Sequence, residues 1–167
     1  LEMACPAVIM DFSRNPGDRL LFENIEPMIE PDSESVQSYQ VSAESFKTSE
    51  TFKHHLSVSS GKKEISVSFL NDFYDGEDAD RNLFIARIQI SDSTGKMLLD
   101  ADFSQYNQNN LIDGIGLREL NCGDYWFSDD SFKFWSNCSI EIPFETAMPG
   151  DLKVAVSAWG EQAGEDL

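Results

Sequence analysis

The chain has 167 residues, of which 30 are acidic and 12 basic, and its net charge of −18 sets up a field that repels phosphate backbones and anionic bilayers. Nucleic-acid and membrane partners are therefore not expected; a neutral ligand, a basic partner or a hard cation fits better. At 41% hydrophobic and 11% aromatic residues, the composition is that of a globular protein long enough to bury a core without several disulfides.

In chain order, the strand is the recurrent local signal. Ala7–Phe12 is a short candidate. It precedes Glu26–Ser35, an acidic stretch with two prolines that reads as a linker. Residues 1–35 are expected to be an N-terminal arm or linker, and residues 36–167 the folded body. Leu1–Met10 lacks the basic segment of a signal peptide, and no apolar run approaches the roughly 20 residues that span a bilayer. Val36–Val41 and Thr51–Val58 are further candidates. Glu64–Phe69, Leu83–Ile90 and Leu152–Trp159 alternate polar and apolar residues most clearly. Lys96–Phe103 and Ser131–Ile142 do so less strongly. Ser60-Gly61-Lys62, Ser93-Thr94-Gly95 and Pro149-Gly150-Asp151 carry turn chemistry. Gln105–Asp130, rich in Asn, Asp and Gly, reads as long loops. No segment holds a helical stripe, so the expected fold is an all-β sandwich.

Cys5, Cys122 and Cys138 are the three cysteines, and none forms a Cys-x-x-Cys pair of the zinc-binding type. Cys122 and Cys138 either close a loop around Asp124–Phe127 or stay as reduced, buried thiols. His54 and His55 are adjacent, so in a strand they face opposite sides and cannot form one metal pair. No serine sits in Gly-x-Ser-x-Gly, and no nucleophile–base–acid set stands out.

The richest stretch lies between two of the clearest strands: Asn71-Asp72-Phe73-Tyr74-Asp75-Gly76-Glu77-Asp78-Ala79-Asp80-Arg81-Asn82. It places five carboxylates in the nine positions from Asp72 to Asp80. Crowded carboxylates repel unless a cation gathers them, and Ca²⁺ accepts carboxylate, carbonyl and water oxygens in flexible geometry. The position of Gly76 and the flanking strands rule out an EF-hand. The plain alternative is a solvated acidic hairpin loop.

The string Phe69-Leu70-Asn71-Asp72-Phe73-Tyr74, a short acidic loop, then Asp80-Arg81-Asn82-Leu83-Phe84-Ile85 resembles the calcium-dependent xylan-binding modules of carbohydrate-binding module families 36 and 60. It is also similar to related modules in large secreted proteins of planctomycete-type bacteria. The resemblance is strong over Val36–Ile90 and weaker over Pro149–Gly164, where Ala158-Trp159-Gly160-Glu161-Gln162-Ala163-Gly164 is similar. It is absent over Leu1–Ser35 and most of Ser93–Ala147.

The resemblance implies a jelly-roll sandwich, non-catalytic polysaccharide binding, and calcium held by the side chains of Asp72 and Asp80. Backbone carbonyls complete the shell, and sugar hydroxyls coordinate the metal directly. The loop is longer and more acidic here than in the simplest members, which adds Asp75, Glu77 and Asp78 as candidate ligands. The Ala-Trp-Gly segment follows the loop rather than preceding it. That order implies either a circularly permuted sandwich or a chain that ends inside a second, truncated module. A secreted or cell-surface location within a larger multidomain protein is expected.

Around the loop, Tyr74 is the first aromatic candidate for sugar contact, and Trp126 of Tyr125-Trp126-Phe127 the second. Trp135 and Trp159 are read as core residues. Arg81 either anchors the loop through a carboxylate or touches the sugar, and Asn71 and Asn82 support the loop. Asn137-Cys138-Ser139 is read as a chance match to a glycosylation acceptor. Two rival functions remain. One is a structural or protein-interaction sandwich with a purely structural calcium; the other is a catalytic β-sandwich, a lyase or hydrolase.

Overall fold

Alternation in the last clear strand has a direct structural outcome. Leu152, Val154, Val156 and Ala158 are buried, and Lys153 between them is exposed. A strand with one apolar face needs a second layer to cover it, and a computed structural model supplies that layer. It describes residues 7–11, 36–41, 46–70, 72–74, 80–105, 115–120, 122, 126–128 and 131–161.

Twelve strands run through the described residues: β1 (Ala7–Asp11), β2 (Val36–Gln40), β3 (Glu50–Val58), β4 (Gly61–Phe69), β5 (Phe73–Tyr74), β6 (Asp80–Asp92), β7 (Met97–Asp102), β8 (Arg118–Leu120), β9 (Trp126–Ser128), β10 (Ser131–Phe134), β11 (Cys138–Thr146) and β12 (Gly150–Glu161). They form two antiparallel sheets. The first has the order β2-β1-β4-β11-β8. The second has the order β3-β12-β6-β10-β9, with β7 paired to β6 further along. One apolar cluster joins them: Ile65, Val67, Phe69, Ile140 and Ile142 from the first sheet meet Ile85, Ile88, Ile90, Val154 and Val156 from the second. This is an all-β sandwich, as expected.

The structure revises several expectations. Residues 1–35 are expected to be an arm or linker, but Ala7–Asp11 within them is hydrogen-bonded between β2 and β4. A division at residue 35 therefore does not separate it from the sandwich. Glu26–Ser35 lies outside the described residues. Gln105–Asp130 is not all loop, since β8 and β9 pair with β11 and β10. Ser131–Ile142 is two strands broken at 135–137. Strand β12 pairs with β3 on one edge and β6 on the other, so the Ala-Trp-Gly segment closes this sandwich and is not the start of a second module.

Gly61 (φ +115°) and Gly95 (φ +86°) occupy the left-handed region at the β3–β4 and β6–β7 turns. At the latter, Asp92 Oδ1 accepts from Thr94 Oγ1 at 2.6 Å, Thr94 N at 2.9 Å and Lys96 N at 3.0 Å. The Thr94 hydroxyl, then these amides and the Lys96 charge, hold that carboxyl below its ordinary value. In the first sheet, Arg118 on β8 pairs with the buried Glu64 and, at 2.8 Å, with Glu141.

Cys122 and Cys138 are bridged, with their Cα atoms 4.8 Å apart, which closes one of the two options left open above. The bridge spans a sequence separation of 16. In the chain-entropy account a loop of that size is worth about 3 kcal/mol. A Cys122→Ser/Cys138→Ser protein is expected to lose about that much stability in urea denaturation. A midpoint equal to that of the native protein would show that the bridge is thermodynamically idle.

Candidate functional site

A register shift in the second sheet decides which side chains face outward at the end of β6. Ser157 pairs with Arg87, but the next residue, Ala158, pairs with Ile85, so Ala86 is extra on β6. A bulge of one residue inverts the side-chain alternation beyond it. Before the bulge the even-numbered Ile88 and Ile90 face the core; after it Ile85 and Leu83 do. Asp80, Asn82 and Phe84 are thereby turned to the outer face, and Arg81 falls on the inner set.

Strand β5 pairs with the start of β6, Tyr74 opposite Asp80 and Phe73 opposite Arg81. Tyr74 and Asp80 are therefore the paired residues on either side of positions 75–79, and Asp72 stands just before β5. The backbone amide of Asp72 donates to Asn137 Oδ1 at 2.8 Å, tying the entry to β5 to the β10–β11 turn. At the start of β6, Asn82 Nδ2 donates to Asp80 Oδ2 and to Glu161 Oε2, both at 2.6 Å. Asn82 and Glu161 are cross-strand partners on β6 and β12. Asn82 is fully buried (0% exposed), and its Oδ1 accepts no hydrogen bond. An orphaned buried carbonyl oxygen beside two carboxylates is the type of donor set a hard cation uses.

An aromatic and cationic patch adjoins this end. Phe84 and Trp159 stack with centroids 4.9 Å apart and planes within 5°. Lys133 Nζ lies 3.3 Å from Glu161 Oε2. It also sits 3.8 Å from the ring centroid of Trp135 and 5.0 Å from that of Phe84. Tyr74 is 67% and Trp135 40% exposed.

The sequence-derived residues thus fall into three groups. Asp72, Tyr74, Asp80 and Asn82 lie at one end of the second sheet. Arg81 is buried at 6% exposure. Asn71, Asp75, Glu77 and Asp78 lie outside the described residues, as does the side chain of Trp126, whose backbone belongs to β9. Among the described residues, no three His, Cys, Asp or Glu side chains gather as a metal-binding group. His54 and His55 alternate between half-buried and exposed on β3 and share no site. Burial, then the neighbouring His55, lowers the His54 pKa.

Three residues, Trp135, Lys133 and Glu161, escape the sequence reading. Trp135 was assigned to the core, yet it sits in the turn after β10 with much of its ring in solvent. Trp159 is buried, but on the outer face rather than in the main core. Lys133 and Glu161 come from strands far apart in sequence; only the similarity of the Ala-Trp-Gly-Glu segment pointed toward Glu161.

Residues 24–97 match the model of carbohydrate-binding module family 60, described as a calcium-dependent, xylan-binding carbohydrate-binding module. The match spans the hairpin and its flanking strands, less than half of the 167 residues, and bears out the resemblance found in the sequence. It stops before Lys133, Asn137 and Glu161. No curated protein matches the chain, and no solved structure does.

Proposed function

We propose that the protein is a non-catalytic module that binds a xylan-like or other neutral polysaccharide through calcium held at the Asn71–Asn82 hairpin. One observation carries the reading: Asp80, Asn82 and Glu161 are drawn together beside the exposed Tyr74 and Trp135, at a hairpin within the stretch that matches family 60. Asp72 and Asp80 would give carboxylate oxygens to the ion, with Asp75 or Asp78 as further donors and Asn82 Oδ1 as a carbonyl donor. When bound, calcium offers coordination positions that sugar hydroxyls can take from water. Tyr74 and Trp135 then offer ring faces to the C–H surface of the sugar. Arg81, buried at 6% exposure, would act as the anchor of the hairpin, and Asn71 would support it. The Cys122–Cys138 bridge favours an oxidising, extracytoplasmic location, where a module of a larger secreted protein would work. Among the described residues no helix is long and apolar enough to cross a membrane.

A glycan array probed with and without EDTA tests the proposal. Binding to xylan-type glycans in calcium, abolished by EDTA, is the expected result. Trp135→Ala should weaken that binding by roughly three- to tenfold, the range of one aromatic contact. Equal signals in calcium and EDTA, or no glycan bound in either, would leave calcium a purely structural role.

A further inference from the structure

The outer face of the second sheet changes character along its length. Near Asn82 it is closed, with Phe84, Ala86 and Trp159 forming a buried cluster of their own. Beyond the bulge it opens into a groove of about 230 Å³. Cross-strand register lays out this floor in rows. His55, Lys153, Ser91 and Met97 make one row across β3, β12, β6 and β7. Lys53, Ala155, Gln89 and Asp100 make the next. Lys53 and Lys153 are diagonal neighbours across β3 and β12, within reach of one ligand for side chains of this length. Both are exposed.

On a chain of net charge −18 with 12 basic residues, a face that collects two lysines and a histidine is an exception in its charge. Among the described residues neither Lys53 nor Lys153 makes an ion pair. Of the nearby acids, Asp100 is held by Arg87 through two bonds of 2.7 Å, which lower its pKa, and Asp151 accepts from the neutral Ser57 Oγ. The groove thus pairs a small apolar floor, Ala155 with the half-exposed Met97, with two lining ammonium groups that make no ion pair among the described residues.

We infer that this groove is a second glycan subsite, one that takes a carboxylate-bearing sugar. The inference rests on the reading that the protein binds polysaccharide, which supplies the sugar; the charge of the groove supplies the carboxylate. The sugar ring lies over Ala155 and Met97, Gln89 and Ser91 meet its hydroxyls, and Lys53 and Lys153 hold the carboxylate in charge-assisted hydrogen bonds. The subsite lies past the bulge from the hairpin and needs no metal.

The test is calorimetric titration at low salt, in EDTA, of a xylo-oligosaccharide carrying one glucuronate and of its carboxyl-reduced counterpart. The native protein is expected to bind the acidic sugar and not the reduced one. Lys53→Gln/Lys153→Gln should weaken that binding by roughly tenfold or more, and 0.5 M salt should weaken it further. The calcium-dependent affinity for neutral xylo-oligosaccharide should be unchanged in the variant. No binding of the acidic sugar in EDTA, or equal binding of the two sugars, overturns the subsite even where neutral xylan still binds in calcium. An acidic peptide of equal charge bound as tightly overturns the assignment to sugar. Conversely, EDTA-resistant uronate binding without any calcium-dependent xylan binding would uphold the groove and overturn the hairpin reading.

Discussion

Asp80→Ala and Asp72→Ala, made separately, are each expected to lower calcium affinity by more than about 100-fold, beyond the usual cost of disturbing a group that only supports a metal ligand. Asp72 stands just before β5 and Asp80 opens β6 in one hairpin, and each is held by an asparagine. Asp72 is held through its amide by Asn137, and Asp80 through its carboxylate by Asn82. Neither lies in the apolar cluster that joins the sheets, so both variants should keep native strand content. Isothermal titration with Ca²⁺ measures the effect, and unchanged affinity in either variant removes that residue from the site. The same ligation implies a stability signature. An ion that binds only the folded chain stabilises it by about 2.7 kcal/mol at a hundredfold excess over its dissociation constant. The native protein should therefore melt at a higher temperature in calcium than in EDTA, and both variants should lose most of that difference.

The strands were legible wherever one face is buried and the other wet, because such strands must alternate. Glu64–Phe69 and Leu152–Trp159 are of this kind, and both lie inside the observed β4 and β12. The short strands were not legible. Arg118–Leu120 and Trp126–Ser128 have three residues each, too few for a period of two to stand out in an Asn- and Asp-rich stretch. Ala7–Asp11 was visible as a strand but not as part of the sandwich. Its place between β2 and β4 depends on long-range pairing that local pattern does not encode.

The candidate site divides along the same line. The acidic hairpin was legible because it is contiguous and because its flanking motif is specific. What surrounds it depends on pairing geometry. The bulge at Ala86 turns Asp80 and Asn82 outward, yet β6 alone, with Leu83 to Ala86 all buried, does not reveal where the alternation inverts. Glu161 meets Asn82 only because β12 runs antiparallel to β6 in this register. Trp135 looks like a core residue by composition, but it falls in the turn between β10 and β11, where a large ring has no second layer to enter.

Asn82→Leu is expected to have the second large effect, and it separates a residue that only supports the fold from one that organises the site. The side chain is fully buried, and its single nitrogen is shared by Asp80 and Glu161, each at 2.6 Å. Leucine keeps the bulk and removes the donor. Two carboxylates then face each other without the group that joined them, and like charges brought close raise the energy of the folded state. Lys133, 3.3 Å from Glu161, offsets part of this from the other side but does not reach Asp80 through any described contact. In EDTA the variant should be less stable by about 1–3 kcal/mol, the range for losing hydrogen bonds to charged groups. Calcium affinity should fall by roughly 10- to 100-fold, as for other groups that orient a metal ligand. A purely structural asparagine would lower the melting temperature equally with and without calcium. An asparagine that positions Asp80 should also shrink the gap between the two melting curves. Thermal melts of native protein and variant, each in calcium and in EDTA, decide the matter, and a gap of the same size in both proteins would show that Asn82 has no part in holding the ion.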